Sequence, residues 1–360
     1  MSRTARRDLK GRRAVAAAAA VLAAGAVYPG QAASAEEAQD AAAECVMTTL
    51  PIPEGTSFTF TTAASDDGSI VAYRTYPADP NSDFARPLRL YQDGEVTDIP
   101  VPGADQSVGG VNSEGTAVGF SFIDGVQIPF VWTEGKLEKL DAGEGGGDAR
   151  DVNEAGDIVG SRGDYPSVPV LWPAGESEPV DLPLPKGALS GTATSIDEDG
   201  TIVGYYEDAL NGNYRPYVWD ADGEGAALPM PDGIEPGTAH SYPKEIDEGW
   251  VVGYLRAPET DGSVGILWNL DEGTAETVKL DTTGSVNPDG WVSGSVDPYA
   301  AVVTDSDRFK LPGAVDPDDN WFGDQGTSIS DDGTQVAGNV FAGENEYGHV
   351  LNAVVWNCRK

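Results

Sequence analysis

One short pattern returns seven times along this chain, and it restricts the accessible folds more than any other feature. "VNSEGTAVGF" at 111 recurs as "VNEAGDIVGS" at 152, "IDEDGTIVGY" at 196, "IDEGWVVGY" at 246, "VNPDGWVSGS" at 286 and "ISDDGTQVAG" at 329, with a degenerate first copy, "SDDGSIVAY", at 65. The shared glycines are Gly68, Gly115, Gly156, Gly200, Gly249, Gly290 and Gly333, at intervals of 47, 41, 44, 49, 41 and 43 residues. A repeat of about 44 residues has the length of one four-stranded propeller blade.

Each unit reads as four short strands. A small-residue strand such as "TATSI" is followed by an Asx-Gly turn, where glycine supplies the positive φ of a tight hairpin. The second strand is β-branched and alternating, as in "TIVGYY", and the third ends at Trp132, Trp172, Trp219, Trp268 or Trp356. Tyr91 and Val303 hold that position in the other two units. The fourth strand delivers Ile99, Leu140, Leu182, Leu228, Leu280 or Leu311. One such sheet cannot bury both faces alone, so blades stacked around an axis are expected, with the tryptophans packed between them. A carbohydrate-stacking platform is the alternative reading of those rings. No helical periodicity appears after the N-terminal segment.

The seventh unit stops at Trp356 and lacks a fourth strand. "TTLPIP" at 48 matches "TDIPVP" at 97, "VDLPLP" at 180 and "AALPMP" at 226, so the N-terminal segment is expected to complete the last blade. Cys358 lies two residues after Trp356 and Cys45 five before Leu50, where other blades have a short turn. A Cys45–Cys358 disulfide would replace that turn covalently. The fold expected is an all-β, seven-bladed β-propeller over residues 46–358, with residues 36–45 as a linker.

The start of the chain bears on location. Arg3, Arg6, Arg7, Lys10, Arg12 and Arg13 precede an apolar run from Ala14 to Val27, followed by Ala33-Ser34-Ala35. This is the pattern of a secretory signal peptide over residues 1–35; Arg6-Arg7-Asp8-Leu9-Lys10 partly matches a twin-arginine motif, and an uncleaved anchor is the alternative. The whole chain carries 22 basic and 59 acidic side chains; without the leader's six bases and one acid, 16 and 58 remain, a net charge of −42. Such a surface repels nucleic acid and anionic lipid. Disorder, the other meaning of an acidic composition, conflicts with eight Trp and 13 Tyr. A soluble, secreted monomer without a membrane span is expected.

The repeat resembles the extracellular HAF-type repeats, "A-x-x-I-N-x-x-G-x-x-V-G" followed by "A/P-F-x-W" and a leucine strand. The clearest match is "SVGGVNSEGTAVGF…PFVW…KL" from 107 to 140, recurring in degenerate form from about 62 to 356. The resemblance implies a secreted, propeller-like bacterial protein and carries no general activity. The histidine of the "hAf" position is absent, and the fifth unit is one residue short before Gly249.

Motifs for catalysis are missing. The two histidines, His240 and His349, have no metal spacing, there is no Gly-x-Ser-x-Gly elbow or phosphate loop, and both cysteines are assigned to structure. "DEDG" at 197 fails the hand-type calcium pattern because its twelfth position is Tyr206, and it reads as an Asx turn. The Asp316–Asp319 stretch of "DPDDNWFGD" is a further place for calcium. No other cofactor is indicated. Strand alternation puts the second-to-third and fourth-to-first loops on one face. That face gathers Arg74, Arg86, Arg162, Arg215 and Arg256, with Arg150 and Lys244 placed to rim the channel, and Tyr165, Tyr206, Tyr214, His240, Tyr242, Trp321 and Tyr347 beside them. Arginine among tyrosine and tryptophan is the composition of a binding surface. Its counter-reading is that the arginines neutralise neighbouring acids. The expected ligand set is Arg74, Arg150, Arg162, Arg215, Lys244, Arg256, Tyr214, Tyr242 and Trp321. The functional expectation is a secreted, non-enzymatic scaffold for a protein, anionic or carbohydrate ligand. The alternative is a polysaccharide hydrolase or lyase using channel-mouth carboxylates, whose required separation some pair among 58 acids would meet by chance.

Overall fold

The computed structural model describes residues 45–78, 84–260, 262–345 and 348–359. The signal peptide, nearly all of the linker and Tyr347 lie outside them. Seven four-stranded antiparallel sheets are present, one for each repeat. Blade 1 runs outward through Thr56–Ala64, Ile70–Pro77, Leu88–Gln92 and Glu95–Ile99, and blades 2 to 6 follow the same order. Blade 7 takes Gln325–Ile329, Gln335–Asn345 and Gly348–Cys358 from the C-terminal end and Cys45–Thr49 from the N-terminal end. Cys45 pairs directly opposite Cys358, and their sulfurs are bonded at 2.03 Å. The all-β, seven-bladed architecture, the strand exchange and the disulfide clasp are therefore as the repeat and the cysteine positions required.

The repeat pattern follows from packing. Ile99, Leu140, Leu182, Leu228, Leu280 and Leu311 are each at most 6 % exposed, and Leu50 of the N-terminal segment fills the seventh such position at 1 %. Trp172, Trp219, Trp268 and Trp356 are fully buried and Trp132 nearly so, which removes a sugar-stacking role for them. Each belongs to a core shared with the preceding blade, as when Trp132 packs with Leu88, Leu90 and Ile99. Four of the indoles donate to a carbonyl next to the preceding blade's outer leucine: Trp172 to Asp141, Trp219 to Pro183, Trp268 to Pro229 and Trp356 to Pro312, at 2.7 to 2.9 Å. Trp132 Nε1 is buried without a partner, which nothing in the structure explains.

The Asx residue of the repeat closes its own turn and reaches the next blade. Asn153 Oδ1 accepts from Asp157 N, while its Nδ2 donates to the carbonyl of Asp197; Asn112 and Asn287 do the same with Thr116 and Asn153, and with Trp291 and Ser330. The Asx-turn reading of "DEDG" holds through Asp199, whose Oδ1 accepts from Thr201 N at 2.8 Å, while both carboxylate oxygens of Asp197 accept backbone N–H groups of the next blade's turn.

A β-bulge interrupts each of the seven innermost strands at the same place. The unpaired residues are Thr62, Gly109, Arg150, Thr194, Lys244 and Thr327, while Gly284 and Ser285 share the bulge of blade 6. A bulge turns two consecutive residues toward the same side. It also explains the second glycine of the repeat. A Cβ on Gly160, Gly204 or Gly294 would stand 2.0 to 2.1 Å from a backbone carbonyl oxygen of the neighbouring inner strand. At the closing seam, blade 1 has Tyr73 at that ladder position, fully buried, with its hydroxyl donating to the carbonyl of Pro51 at 3.0 Å.

Candidate functional site: the channel and its tyrosine wall

The bulges build the channel in layers. At the first level Arg150, Thr194 and Lys244 face inward, flanked by Thr62, Gly109 and Thr327; one residue along the strands stand Asp151, Ser195, Glu245 and Ser328. Both levels line a cavity of about 100 Å³ on the axis. Toward the Asx-turn face come Asp66, Asp247, Glu198 and Asp331. The channel therefore runs from cationic at its long-loop end to carboxylate-rich at the other.

Hydrogen bonds distinguish the cations. Arg150 Nη2 lies 2.6 Å from Asp148 Oδ2, whose other oxygen accepts from Ser161 Oγ, while Arg150 Nε is buried without a partner. Lys244 Nζ donates to the carbonyl of Thr283 and has no ion pair within 4 Å among the described residues. Lys244 is open to channel water, yet protein walls it on every side; that enclosure lowers its pKa against the opposing pull of Glu245.

The carboxylates are coupled. Asp151 accepts from Ser195 Oγ at 2.6 Å and from the N–H groups of Ile196 and Val152, yet enclosure lifts its pKa to about 6. Asp66 and Asp247 are each pushed up to about 8, first by the surrounding protein and then by nearby carboxylates: Asp151 and Asp247 act on Asp66, and Asp331 and Asp197 on Asp247. Glu245 is enclosed by the wall, and its pKa is raised well above the usual carboxylate range by that burial and by Asp66, Asp151 and Asp247.

At the long-loop end an aromatic wall stands between blades 4 and 5. Tyr205 meets Tyr214 and Tyr242 edge-on at 5.3 and 5.2 Å, and Tyr242 stacks on Tyr254 at 4.8 Å and 21°. His240 adjoins Tyr214, with ring centroids 5.8 Å apart. Burial against these neighbours pushes Tyr242 to about 12, so its hydroxyl stays protonated and can donate. Tyr205 is close enough to Arg150 to interact with its charge. A cavity of about 360 Å³ opens beside Lys244 and Tyr254, edged by Asp281, Thr283, Gln325 and Thr327.

Of the expected ligand residues, the structure brings Arg150, Lys244, Tyr214 and Tyr242 together and adds Tyr205 and Tyr254. Others are committed elsewhere. Arg162 makes a two-pronged ion pair with Asp181, at 2.7 and 2.6 Å, on the outer strand of blade 3. Arg215 is spent on the carbonyls of Pro236, Gly237 and Ala239 and on Asp208, so it clamps a loop instead of facing a ligand. Arg256 is exposed at the end of Trp250–Arg256. Arg74 lies between blades 1 and 2, over Phe60 and Tyr76. Trp321 is 60 % exposed in a separate patch with Phe322 and His349. Tyr206 turns into the blade against Tyr217, and Tyr165 donates to Glu207. Asp316 caps the short 3-10 turn Pro317–Asp319, and no group of three or more His, Cys, Asp or Glu among the described residues is arranged to hold a metal ion. No helix among the described residues is long and apolar enough to cross a membrane.

No protein-family model matches the sequence, and no curated protein matches it either. The HAF-type resemblance is thus supported only as far as the propeller. Solved structures do match. An oligogalacturonate lyase in complex with manganese aligns over 89 % of this chain and 95 % of its own, with TM-score 0.56 and 11 % identity. An acylaminoacyl peptidase in complex with a chloromethyl ketone aligns over 84 % of this chain at TM-score 0.54 and 14 % identity, and the uncomplexed Pyrococcus horikoshii acylaminoacyl peptidase at 0.53 and 12 %. This chain spans about half the length of those peptidases, 52 % in each case. At these identities the likeness establishes a shared propeller architecture and nothing about activity.

Proposed function

We propose that this chain is a secreted, non-enzymatic binding propeller that captures an anionic ligand at the long-loop mouth of its channel. One observation carries the reading: in a chain of net charge −37, equivalent bulges on blades 3 and 5 turn Arg150 and Lys244 into one opening, beside a wall of four tyrosines. Lys244, with a single carbonyl as hydrogen-bond partner, keeps donors free for a ligand. Tyrosines contribute rigid apolar area with a polar tip, which suits an exposed recognition site. The secreted location is supported by the N-terminal leader pattern and by the disulfide, a bond typical of oxidising compartments.

The test is surface plasmon resonance against immobilised polygalacturonate, dextran sulfate and polyglutamate. Lys244→Glu combined with Arg150→Gln should weaken capture at least tenfold, and capture by the parent chain should fall as salt rises. Arg162→Ala should leave it unchanged, because that guanidinium is already paired. Equal capture by the channel variant would place the site elsewhere. A second reading, a polysaccharide hydrolase or lyase, is favoured by Asp66 and Asp247, carboxyls held protonated near neutral pH and so able to act as acids. Release of reducing ends or unsaturated products from a polysaccharide panel, lost in Asp66→Asn or Asp247→Asn, would favour it over simple capture.

A further inference from the structure

A second cationic site lies away from the channel, on the long-loop face between blades 1 and 2. Phe58 stacks on Tyr76, with centroids 3.9 Å apart and planes 19° from parallel. Arg86 sits over the Tyr76 ring at 4.4 Å from its centroid and Arg74 at 5.2 Å, so two like charges share one aromatic ring. Their compensation is thin. Arg86 has Asp105 at 3.8 Å, half-exposed, and donates otherwise to the carbonyl of Ala85 next to it. The Arg74 guanidinium has no ion pair within 4 Å and no hydrogen bond among the described residues, and its Nε is buried with no acceptor.

This is unusual in a chain with 59 acidic and 22 basic side chains, where carboxylates to pair an arginine are plentiful. A buried N–H without an acceptor is costly, and a pair of guanidinium groups held together by an aromatic ring repels itself unless a negative group intervenes. A tetrahedral or planar oxyanion supplies acceptors in the geometry that guanidinium groups match. The ring of Phe84, 69 % exposed and 5.9 Å from the Arg86 guanidinium, adds an apolar edge at the rim. We infer that Arg74 and Arg86 form an oxyanion site for a phosphate, sulfate or carboxylate group, separate from the channel mouth.

The experiment follows the arginine Nε–Hε resonances of the full chain by NMR at constant ionic strength, while inorganic phosphate, sulfate or glucuronate is added. The Arg74 and Arg86 signals should move together and saturate with a half-point of about 1 mM. Their ranking across the three probes identifies the anion carried by the natural ligand. Arg74→Met should weaken binding at least tenfold with an unchanged circular-dichroism spectrum, and Arg86→Lys should weaken it while keeping the charge. Lys244→Met should leave it intact, so failure here is separable from failure at the channel. Absent or non-saturating shifts would overturn the site, as would undiminished binding by Arg74→Met. The sequence between the two arginines contains Asp79 and Asp83. Binding of phosphate only in an Asp79→Asn/Asp83→Asn variant would also overturn it, since those carboxylates would then be the occupants.

Discussion

Replacing both cysteines by serine tests how the ring is held shut. Cys45 and Cys358 are 313 residues apart, so the bond closes nearly the whole described chain into one loop. On the loop-entropy model a closure of that length removes about 5–6 kcal/mol of unfolded-state freedom. The native contacts at the seam do not depend on the bond: Cys45–Thr49 still pairs with Gly348–Cys358, Leu50 stays buried among Val71, Tyr73 and Val355, and Tyr73 still holds the carbonyl of Pro51. The loss should therefore appear in stability with little change in native structure. With a urea slope of about 3–4 kcal/mol per molar for a domain of this size, the midpoint should fall by about 1.5 M, while the circular-dichroism spectrum of the folded state is retained. Non-reducing peptide mapping of the parent chain should recover the two cysteine peptides linked. A midpoint shift below about 0.3 M would show that the strand exchange alone closes the ring and that the entropic argument fails here. Loss of native structure in the variant would show instead that the seam cannot form without the bond.

Two other outcomes are expected. Trp219→Phe should cost more than Trp132→Phe by about 1 kcal/mol in chemical denaturation, because Trp219 gives up a 2.7 Å hydrogen bond to Pro183 and Trp132 has none to lose. Thermal stability should fall as pH rises from 4 to 8: Asp66 and Asp247 titrate at about 8 in the fold against 3.8 ordinarily, so across that window the fold holds protons that the unfolded chain releases, and the advantage is used up by the time they ionise in the fold. An Asp66→Asn/Asp247→Asn variant should flatten the decline, and an unchanged slope would assign it to other groups.

The architecture was legible because it is written in positions that recur. The turn glycines gave the number of blades, and Leu50 could be recognised as a stray member of the Ile99, Leu140 and Leu182 series, which located the closing strand before any coordinates. The channel was less legible because simple strand alternation assigns consecutive residues to opposite faces. The bulge breaks that rule, placing Arg150 and Asp151, or Lys244 and Glu245, in the same opening. Arg150 and Lys244 are expected at the channel rim from the sequence alone; the signal that would add Thr194 to them is the shared offset, three residues before Asn153, Asp197 and Asp247. Tyr205 and Tyr254 were equally visible, each directly after the close-approach glycine of its unit, but they read as ordinary strand residues. Arg162 and Arg215, expected among the ligand residues, are instead paired within the fold, which the sequence hides for a different reason. Their loops were placed on the right face, but what an arginine does there depends on which oxygens reach it, and these come from Asp181 and Pro236, 19 and 21 residues away. In a chain this acidic a cation in a loop is ordinarily consumed by its neighbours. The informative arginine is the one the fold leaves with an unanswered N–H, and Arg74 and Arg150 both meet that description.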